Sequence, residues 1–274
     1  MTTGLLNVPA VAPSPTTGRD YISFSSISTF RQCSLKWYFK YVLGLPEATV
    51  SSALVFGSGV HRAIEHHFRE LLAGNLPPDL DTLLAEFWEE WKDRDHEGIR
   101  FGKDEDISSV GRLAERTLTA FQQSEVAQPR GHILAVEEEL RGPVVPGCPD
   151  LLGRVDMIVD AGNEVVISDW KTARSRWSRE QADDASEQLL LYAELAKDLV
   201  PGKPLRLEFV ILTKTKEVAV DRHSLPVDPA RVRRIKRVVE NVWRAIAAKC
   251  FYPAPSAMNC PGCPFRDECR AWAG

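Results

Sequence analysis

The sequence contains no apolar run that approaches the roughly 18 residues needed to cross a membrane. Its first 20 residues also lack the basic start and the long apolar stretch of a secretory signal peptide. We therefore expect a cytoplasmic protein with a disordered N-terminal tail at residues 1–20. No G-x-x-x-x-G-K-S/T motif is present, which excludes a helicase motor of the P-loop type.

The sequence has only a small excess of negative charge, since 34 basic and 38 acidic side chains give a net charge of −4. Such a balance excludes a generic basic coat protein for nucleic acid. The charges are unevenly distributed, however, because residues 79–97 are mainly acidic and residues 231–249 mainly basic. Both stretches are typical of solvated helix faces, although a basic helix can also contact phosphate. Three further arginines, Arg174, Arg176 and Arg179, follow a predicted strand.

The spacing of the six cysteines is more informative than their number. Disulfides are not expected in a cytoplasmic chain, and Cys260, Cys263 and Cys269 form a C-x2-C-x5-C cluster among prolines and a glycine. Three thiolates need a fourth ligand to complete a tetrahedral or cubane metal site. The candidates are Cys33, Cys148 and Cys250. A zinc knuckle or free thiols are the alternatives, although zinc sites usually show paired C-x2-C motifs or histidines at matching spacing.

Cys33 lies in a segment, residues 24–45, whose apolar residues recur at helical spacing. Serines precede this pattern, which predicts a serine-capped helix. The side chains expected to face inward are Ile27, Phe30, Leu35, Tyr38 and Phe39. Aromatic residues here, Trp37, Tyr38 and Tyr41, either pack in the core or stack on bases.

Residues 132–140, 153–161 and 164–172 are rich in Val and Ile and are separated by turn residues, which predicts three successive strands. The short turn at 161–163 makes the last two antiparallel neighbours, and this brings Asp156 beside Asp169. Asp169 and Lys171 are two residues apart and leave the same face of their strand. Two carboxylates there would bind Mg²⁺ or Mn²⁺, and a lysine beside the metal would stabilise charge on a phosphate. Alone, a D-x-K sequence is more typical of a surface ion pair.

Two predicted helices carry further polar pairs at i,i+4 spacing. Residues 57–74 are expected to form a helix with a glycine-rich start and Gly74 at its end, in which His61 and Glu65 share a face. Residues 185–199 predict a second helix, in which Gln188 and Tyr192 share a face. In isolation each pair is typical of an ordinary helix surface. Their order along the chain, together with Asp156 and the D-x-K strand, is what makes them specific.

This order resembles the PD-(D/E)xK nuclease superfamily, and within it the RecB-like and iron–sulfur CRISPR-associated exonuclease branch. His61 matches the helical metal-binding histidine, Asp156 the motif acid, and Asp169 and Lys171 the D-x-K pair. Gln188 and Tyr192 match the Q-x-x-x-Y motif, which helps to hold the DNA and the active site. The cysteines that match the one-plus-three pattern of a 4Fe–4S cluster are Cys33, Cys260, Cys263 and Cys269. Val155 stands where the proline that names the superfamily would be, as is usual in the RecB-like branch.

The resemblance covers about residues 22–270 and implies an α/β fold: a restriction-endonuclease-like mixed sheet flanked by helices over residues 21–274. It implies an iron–sulfur clamp at residues 250–270 that joins the two ends of the chain. The implied ligands of the Mg²⁺ or Mn²⁺ are His61, Asp156, Asp169 and the Trp170 carbonyl. Glu65 is implied to assist by contacting these ligands rather than the metal. The implied activity is exonucleolytic hydrolysis of single-stranded DNA in repair, recombination or CRISPR adaptation, with a helicase or a CRISPR adaptation protein as partner. The rival hypothesis is a non-catalytic DNA-binding or scaffold subunit with a structural zinc or iron–sulfur knuckle.

Overall fold

The structure, a computed structural model, describes residues 19–47, 49–94, 98–197, 199 and 201–272. The tail predicted at residues 1–20 lies outside these residues, apart from Arg19 and Asp20. The strands are β1 (Tyr21–Ser23), β2 (Val50–Ser51), β3 (Ile99–Arg100), β4 (His132–Gly142), β5 (Asp150–Asp160), β6 (Val165–Ala173), β7 (Leu205–Thr213) and β8 (Val220–Pro226). The helices are α1 (Phe24–Gln32), α2 (Ser34–Tyr41), α3 (Ser52–Leu72), α4 (Leu80–Asp93), α5 (Ile107–Gln123), α6 (Arg179–Ala185), α7 (Glu187–Ala196), α8 (Pro229–Ala247) and α9 (Arg266–Ala271).

A six-stranded mixed sheet in the order β1-β5-β6-β7-β8, with β4 paired to β5, forms the centre of the part of the chain that the structure describes. β5 and β6 are antiparallel, β6 and β7 are parallel, and β7 and β8 form a hairpin at the edge. The predicted mixed sheet and its antiparallel β5–β6 pair are confirmed. The sheet is wider than predicted, because the short strand β1 joins it from the N-terminal side.

Helices cover both faces of this sheet. On one face α1, α7 and α8 enclose a core that contains Ile27, Leu191 and Ile235. On the other face α3, α4 and α5 enclose a second core, which includes Phe68 and Phe87. β6 is buried continuously from Val165 to Trp170, as expected for a strand with both faces covered. No helix among the described residues is long and apolar enough to span a membrane.

One edge of β5 is shared by two different strands. β6 pairs with β5 only from Met157 to Asp160, whereas β1 pairs with it from Asp150 to Leu152. Between these stretches, residues 153–156 of β5 have no strand partner on that edge within the described ranges. β5 and β6 therefore diverge at Asp156 and form what we call the strand fork, which consists of residues 153–156 and 169–171. The fork opens the sheet at the position of the predicted carboxylates.

The single helix predicted over residues 24–45 is wrong, because the structure contains two helices that are separated at Cys33. Cys33 has an extended backbone, and its N–H ends α1 by bonding the Thr29 carbonyl at 3.0 Å. Its sulfur then accepts a hydrogen bond from the Lys36 N–H at 3.4 Å and so caps α2. A cysteine side chain thus serves as the N-cap of α2, a position at which serine or aspartate is the usual residue.

The predicted glycine-rich start of the His61 helix is also wrong. α3 begins at Ser52, where Ser51 caps it, so Gly57 and Gly59 lie within the helix. Gly59 is needed for packing rather than for ending a helix, since a Cβ there would lie 2.7 Å from the ring of Phe87. This close approach lets α4 pack against α3 beside His61.

Candidate active site

The strand fork holds the two acids of the predicted core. Asp156 accepts a hydrogen bond at 2.7 Å from the Trp170 backbone N–H, which thereby binds a side chain in place of a strand partner. Asp169 is 1% exposed, and its Oδ2 lies 2.6 Å from the Lys171 ammonium. Burial raises the pKa of Asp156 well above its usual value, and the neighbouring Asp169 carboxylate raises it further. Such crowding of acids is relieved when a cation binds.

His61 reaches the fork from α3, which lies on the opposite face of the sheet from α7. Its Nδ1 is 3.6 Å from Asp156 Oδ2. Burial lowers the pKa of His61 below its ordinary value, although the Asp169 carboxylate opposes this effect. The imidazole is therefore neutral near pH 7, which is the form that binds a metal ion.

Glu137 on β4 is a site residue that the sequence argument missed. Among the described residues, one group of acidic, histidine or cysteine side chains has its ligand atoms within 4.8 Å of one another, and it consists of His61, Glu137 and Asp156. Burial and the nearby Glu65 raise the pKa of Glu137 to about 7. Its backbone has φ of 51°, a left-handed conformation that is unusual for a glutamate. One imidazole and two carboxylates are a donor set that suits Mg²⁺ or Mn²⁺.

The remaining predicted metal ligands are placed differently. Asp169 is not part of the close group and is held in its ion pair with Lys171. Trp170 contributes its backbone N–H to Asp156, and the role of its carbonyl as a ligand stays a prediction. Glu65 lines the same cavity as His61 and Asp156, and it forms an ion pair with Arg69 at 2.7 Å. Its charge contributes to the raised pKa of Glu137.

Gln188 and Tyr192 on α7 complete a hydrogen-bonded row that begins at Lys171. The Lys171 ammonium donates to Gln188 Oε1 at 3.4 Å, and the Gln188 amide donates to the Tyr192 oxygen at 2.7 Å. Burial raises the pKa of Tyr192 to about 12, so its hydroxyl keeps its proton. Gly153 in the fork makes room for the Tyr192 ring, because a Cβ there would lie 2.5 Å from it.

The site lies between two open cavities that share a wall. A cavity of about 840 Å³ extends toward α4, and one of about 730 Å³ extends toward β1 and α1. Both are lined by His61, Arg154, Asp156 and Lys171. We call the two together the main groove. A polymer strand lying in this groove would pass directly over the carboxylates and the lysine.

The two charged stretches of the sequence have different surroundings. Acidic residues of α4 line the main groove, where Glu86 binds Arg62 at 3.0 Å. In α8, Arg231 and Lys236 form ion pairs with Asp183 and Glu194. The described α8 side chains line neither cavity of the groove. The basic helix α8 therefore lies outside the main groove.

The predicted cysteines surround a separate cavity of about 210 Å³, which is lined by Cys33, Cys260, Cys263 and Cys269. Burial raises the pKa of Cys269, and the other three thiols raise it further. Their sulfurs do not form a group within 4.8 Å of one another in the described ranges, so an iron–sulfur clamp is not shown. Cys148 and Cys250 lie outside this cavity.

The two terminal segments of the chain do meet at the cysteine cavity. Ser34 Oγ donates to the Tyr252 carbonyl at 3.1 Å and accepts from the Tyr252 N–H at 3.0 Å. Phe265 is fully buried against Leu35 and Phe39. Trp37 is 2% exposed and stacks on Phe251, so it packs in the protein and cannot stack on bases.

A mixed sheet with an acidic fork, a lysine and a helical histidine defines a class of metal-dependent nucleases. The model of the PD-(D/E)XK nuclease superfamily matches residues 21–270, and the chain belongs to this superfamily. The resemblance noted from the motifs is thereby confirmed at the level of the superfamily. Members of this superfamily use divalent metal ions, in agreement with the donor set around Glu137.

The fold is also similar to a solved structure. The crystal structure named "Putative exonuclease" from Eubacterium rectale covers 99% of this chain and 93% of its own, with a TM-score of 0.60 and 15% identity. The structure of SSO0001 covers 82% of this chain and 87% of its own at 17% identity, with a TM-score of only 0.36. No curated protein matches the sequence.

Proposed function

We propose that this protein is a divalent-metal-dependent deoxyribonuclease that degrades single-stranded DNA from its ends. The observation that carries this function is the close group of His61, Glu137 and Asp156, with Lys171 beside it on the wall of an open groove. The groove supplies access, and the carboxylates supply oxygen ligands for the cation. The similarity to a structure named as an exonuclease supports the same reaction class.

The residues of the fork have separable tasks in this reaction. A metal ion held by His61, Glu137 and Asp156 would polarise the scissile phosphate and lower the pKa of an attacking water. Lys171 keeps its charge, because Asp169 and Asp156 raise its pKa against the lowering effect of burial. Its ammonium stabilises negative charge that develops on the phosphate. Asp169 and Gln188 hold that ammonium in place from two sides.

The depth of the site supports action on flexible single strands. The side chain of Asp156 is 11% exposed, and that of Asp169 is 2% exposed. A recessed site of this kind is reached more readily by a flexible single strand than by the interior of a rigid duplex. We propose that another protein supplies the single-stranded ends. A helicase or a CRISPR adaptation protein is the partner we propose, with repair, recombination or CRISPR adaptation as the process.

The test of this function uses linear single-stranded DNA labelled at the 5′ or the 3′ end, with Mn²⁺ or Mg²⁺ and with a chelator as control. We expect cleavage that requires the metal, and release of label mainly from one end. Covalently closed single-stranded circles are the matched control, and they are expected to persist. Degradation of circles at the linear rate would show an endonuclease, and no cleavage of any substrate would favour the non-catalytic scaffold.

We also propose that the four cysteines of the 210 Å³ cavity bind a structural 4Fe–4S cluster. Support comes from their shared cavity and from the raised pKa of Cys269 among the other thiols. In Cys260→Ser we expect loss of visible absorbance and of bound iron. The melting midpoint should fall by at least about 5 °C, because the site joins the two ends of the chain. Cys250→Ser is the matched control, since Cys250 is exposed and outside the cavity. A colourless wild type that binds one zinc would contradict the cluster.

A further inference from the structure

A further cavity, of about 460 Å³, adjoins the main groove, and we call it the side pocket. It is lined on one side by Arg100 at the end of β3 and by Phe101, Lys103 and Glu105 in the loop that leads to α5. On the other side it is lined by Arg174 and Lys214. The side pocket and the main groove share Ala53 and Lys214 in their walls. A chain molecule lying in the groove therefore has a direct path into the side pocket.

The side pocket is strongly basic, whereas the main groove has charges of both signs. Its ionisable lining residues are four cations and Glu105. None of the four cations forms an ion pair within the described ranges. Burial lowers the pKa of Lys214, and the neighbouring Arg174 lowers it further. Lys214 faces the Phe56 ring, with its Nζ 5.8 Å from the ring centroid. Cations that crowd one another and lack a carboxylate in an ion pair are stabilised by an anion of the ligand.

Glu105 forms no ion pair with these cations within the described residues, although its charge raises the pKa of Lys214 and so offsets part of the crowding. Its carboxylate accepts hydrogen bonds from the Ser52 hydroxyl and, at 2.8 Å, from the Gly102 N–H. It therefore fixes the loop that follows β3 against the start of α3. The loop is shaped before any ligand arrives, which lowers the entropic cost of binding.

Phe101 offers an aromatic surface at the same place. It is 38% exposed, and its ring is stacked on Trp91 with the ring centroids 6.0 Å apart and the planes 25° apart. An exposed aromatic ring that is held by a second ring is a suitable platform for a nucleobase. Cations and an aromatic platform in one pocket fit a nucleotide unit better than they fit a bare anion.

We propose that the side pocket binds a nucleotide unit of the same DNA strand that crosses the fork, with a phosphodiester on Arg174 and Lys214 and the adjacent base on Phe101. This inference rests on the proposed function, because it takes the main groove as the path of the strand. It makes the side pocket a determinant of affinity that lies outside the catalytic fork. The arginine cluster after β6 thereby acquires a role through Arg174.

The test measures the binding of a fluorescent 12-nucleotide oligothymidylate by anisotropy, in a chain that carries Lys171→Gln to prevent cleavage. Replacing Lys103, Arg174 and Lys214 together with glutamine should weaken binding at least about tenfold at low salt. The slope of log affinity against log salt should become shallower by about 0.7 for each phosphate contact that is lost from the single strand. In contrast, Phe101→Ala should weaken binding about tenfold and leave the slope unchanged.

The matched control removes three positive charges elsewhere, by replacing Arg233, Arg234 and Arg237 on the exposed face of α8 with glutamine. It should leave the affinity within twofold and the slope unchanged. If both triple variants weaken binding equally, the proposed role of the side pocket is overturned, because net charge alone would then determine the affinity. Lys103→Glu reverses a single charge at an exposed position and does not disturb the core. Unchanged binding in both Lys103→Glu and Phe101→Ala would also overturn the inference.

Two further measurements separate the remaining outcomes. Thymidine monophosphate and inorganic phosphate should compete only weakly, and competition as strong as that of the oligonucleotide would indicate a site for a free anion instead. A wild-type chain that cleaves DNA while the side-pocket variants bind normally would refute the side pocket and leave the proposed function intact. A wild type that neither binds nor cleaves DNA would refute the proposed function itself.

Discussion

Replacing Lys171 with alanine is expected to lower the rate of DNA cleavage by about 10²–10³-fold, the cost of losing one electrostatic group at a transition state. The Lys171 ammonium lies on the groove wall, 2.6 Å from Asp169 Oδ2. Because it is not a ligand of the cation, Mn²⁺ affinity should change little. Single-turnover cleavage and a calorimetric Mn²⁺ titration together check the two halves of this expectation.

Lys203→Ala is the matched control for this variant. Lys203 also lies 2.6 Å from a carboxylate, that of Asp160, and its side chain is 32% exposed against 33% for Lys171. It lies at the far end of β5 from the fork, so cleavage should stay at the wild-type rate. Lys171→Gln keeps a hydrogen-bond donor beside buried Asp169, and it tests the charge if the alanine variant folds poorly. Wild-type cleavage by both Lys171 variants would remove the residue from the mechanism.

Replacing Glu137 with glutamine is expected to weaken Mn²⁺ binding and to lower the cleavage rate by about 10²-fold or more. The change removes one of two carboxylates from the close group while keeping its size. Without metal, the variant should be as stable as the wild type or more so, because buried acids that crowd one another destabilise the fold. Metal titration and thermal melting with and without Mn²⁺ measure both effects.

Glu138→Gln is the control for Glu137, since it makes the same change one residue further along β4 at an exposed position. It should leave metal binding, rate and melting midpoint unchanged. Loss of activity in Glu137→Gln together with a lower midpoint in metal-free protein would indicate a structural role. Equal effects of the two variants would exclude Glu137 as a metal ligand.

The sequence was sufficient to predict the mixed sheet, because β5 and β6 carry long Val- and Ile-rich runs and a short turn that sets their antiparallel pairing. It also placed Asp156 next to Asp169, since that proximity follows from the turn. The i,i+4 spacing of Gln188 and Tyr192 likewise led to a pair that the structure joins by a hydrogen bond. These are local relations, and local patterns determine them.

Glu137 was missed because it is one of three consecutive glutamates, Glu137, Glu138 and Glu139, and alternation along a strand cannot show which one faces the fork. The register of β4 shifts between Ile133 and Ala135, and Glu137 has a left-handed backbone. Both features break the simple two-residue period on which the sequence argument relied. Conversely, the break at Cys33 was missed because its flanks continue the helical pattern.

The strand fork also bears on the order of events in folding. Its geometry depends on β1 (Tyr21–Ser23) lying parallel to the start of β5, a strand from a much later part of the chain. Contacts between such distant segments form slowly, because the intervening chain must first lose its freedom. We therefore expect the β5–β6 hairpin to form early and the fork to take its final shape only when β1 docks. A nascent chain would then carry all its catalytic side chains for some time before it could cut DNA.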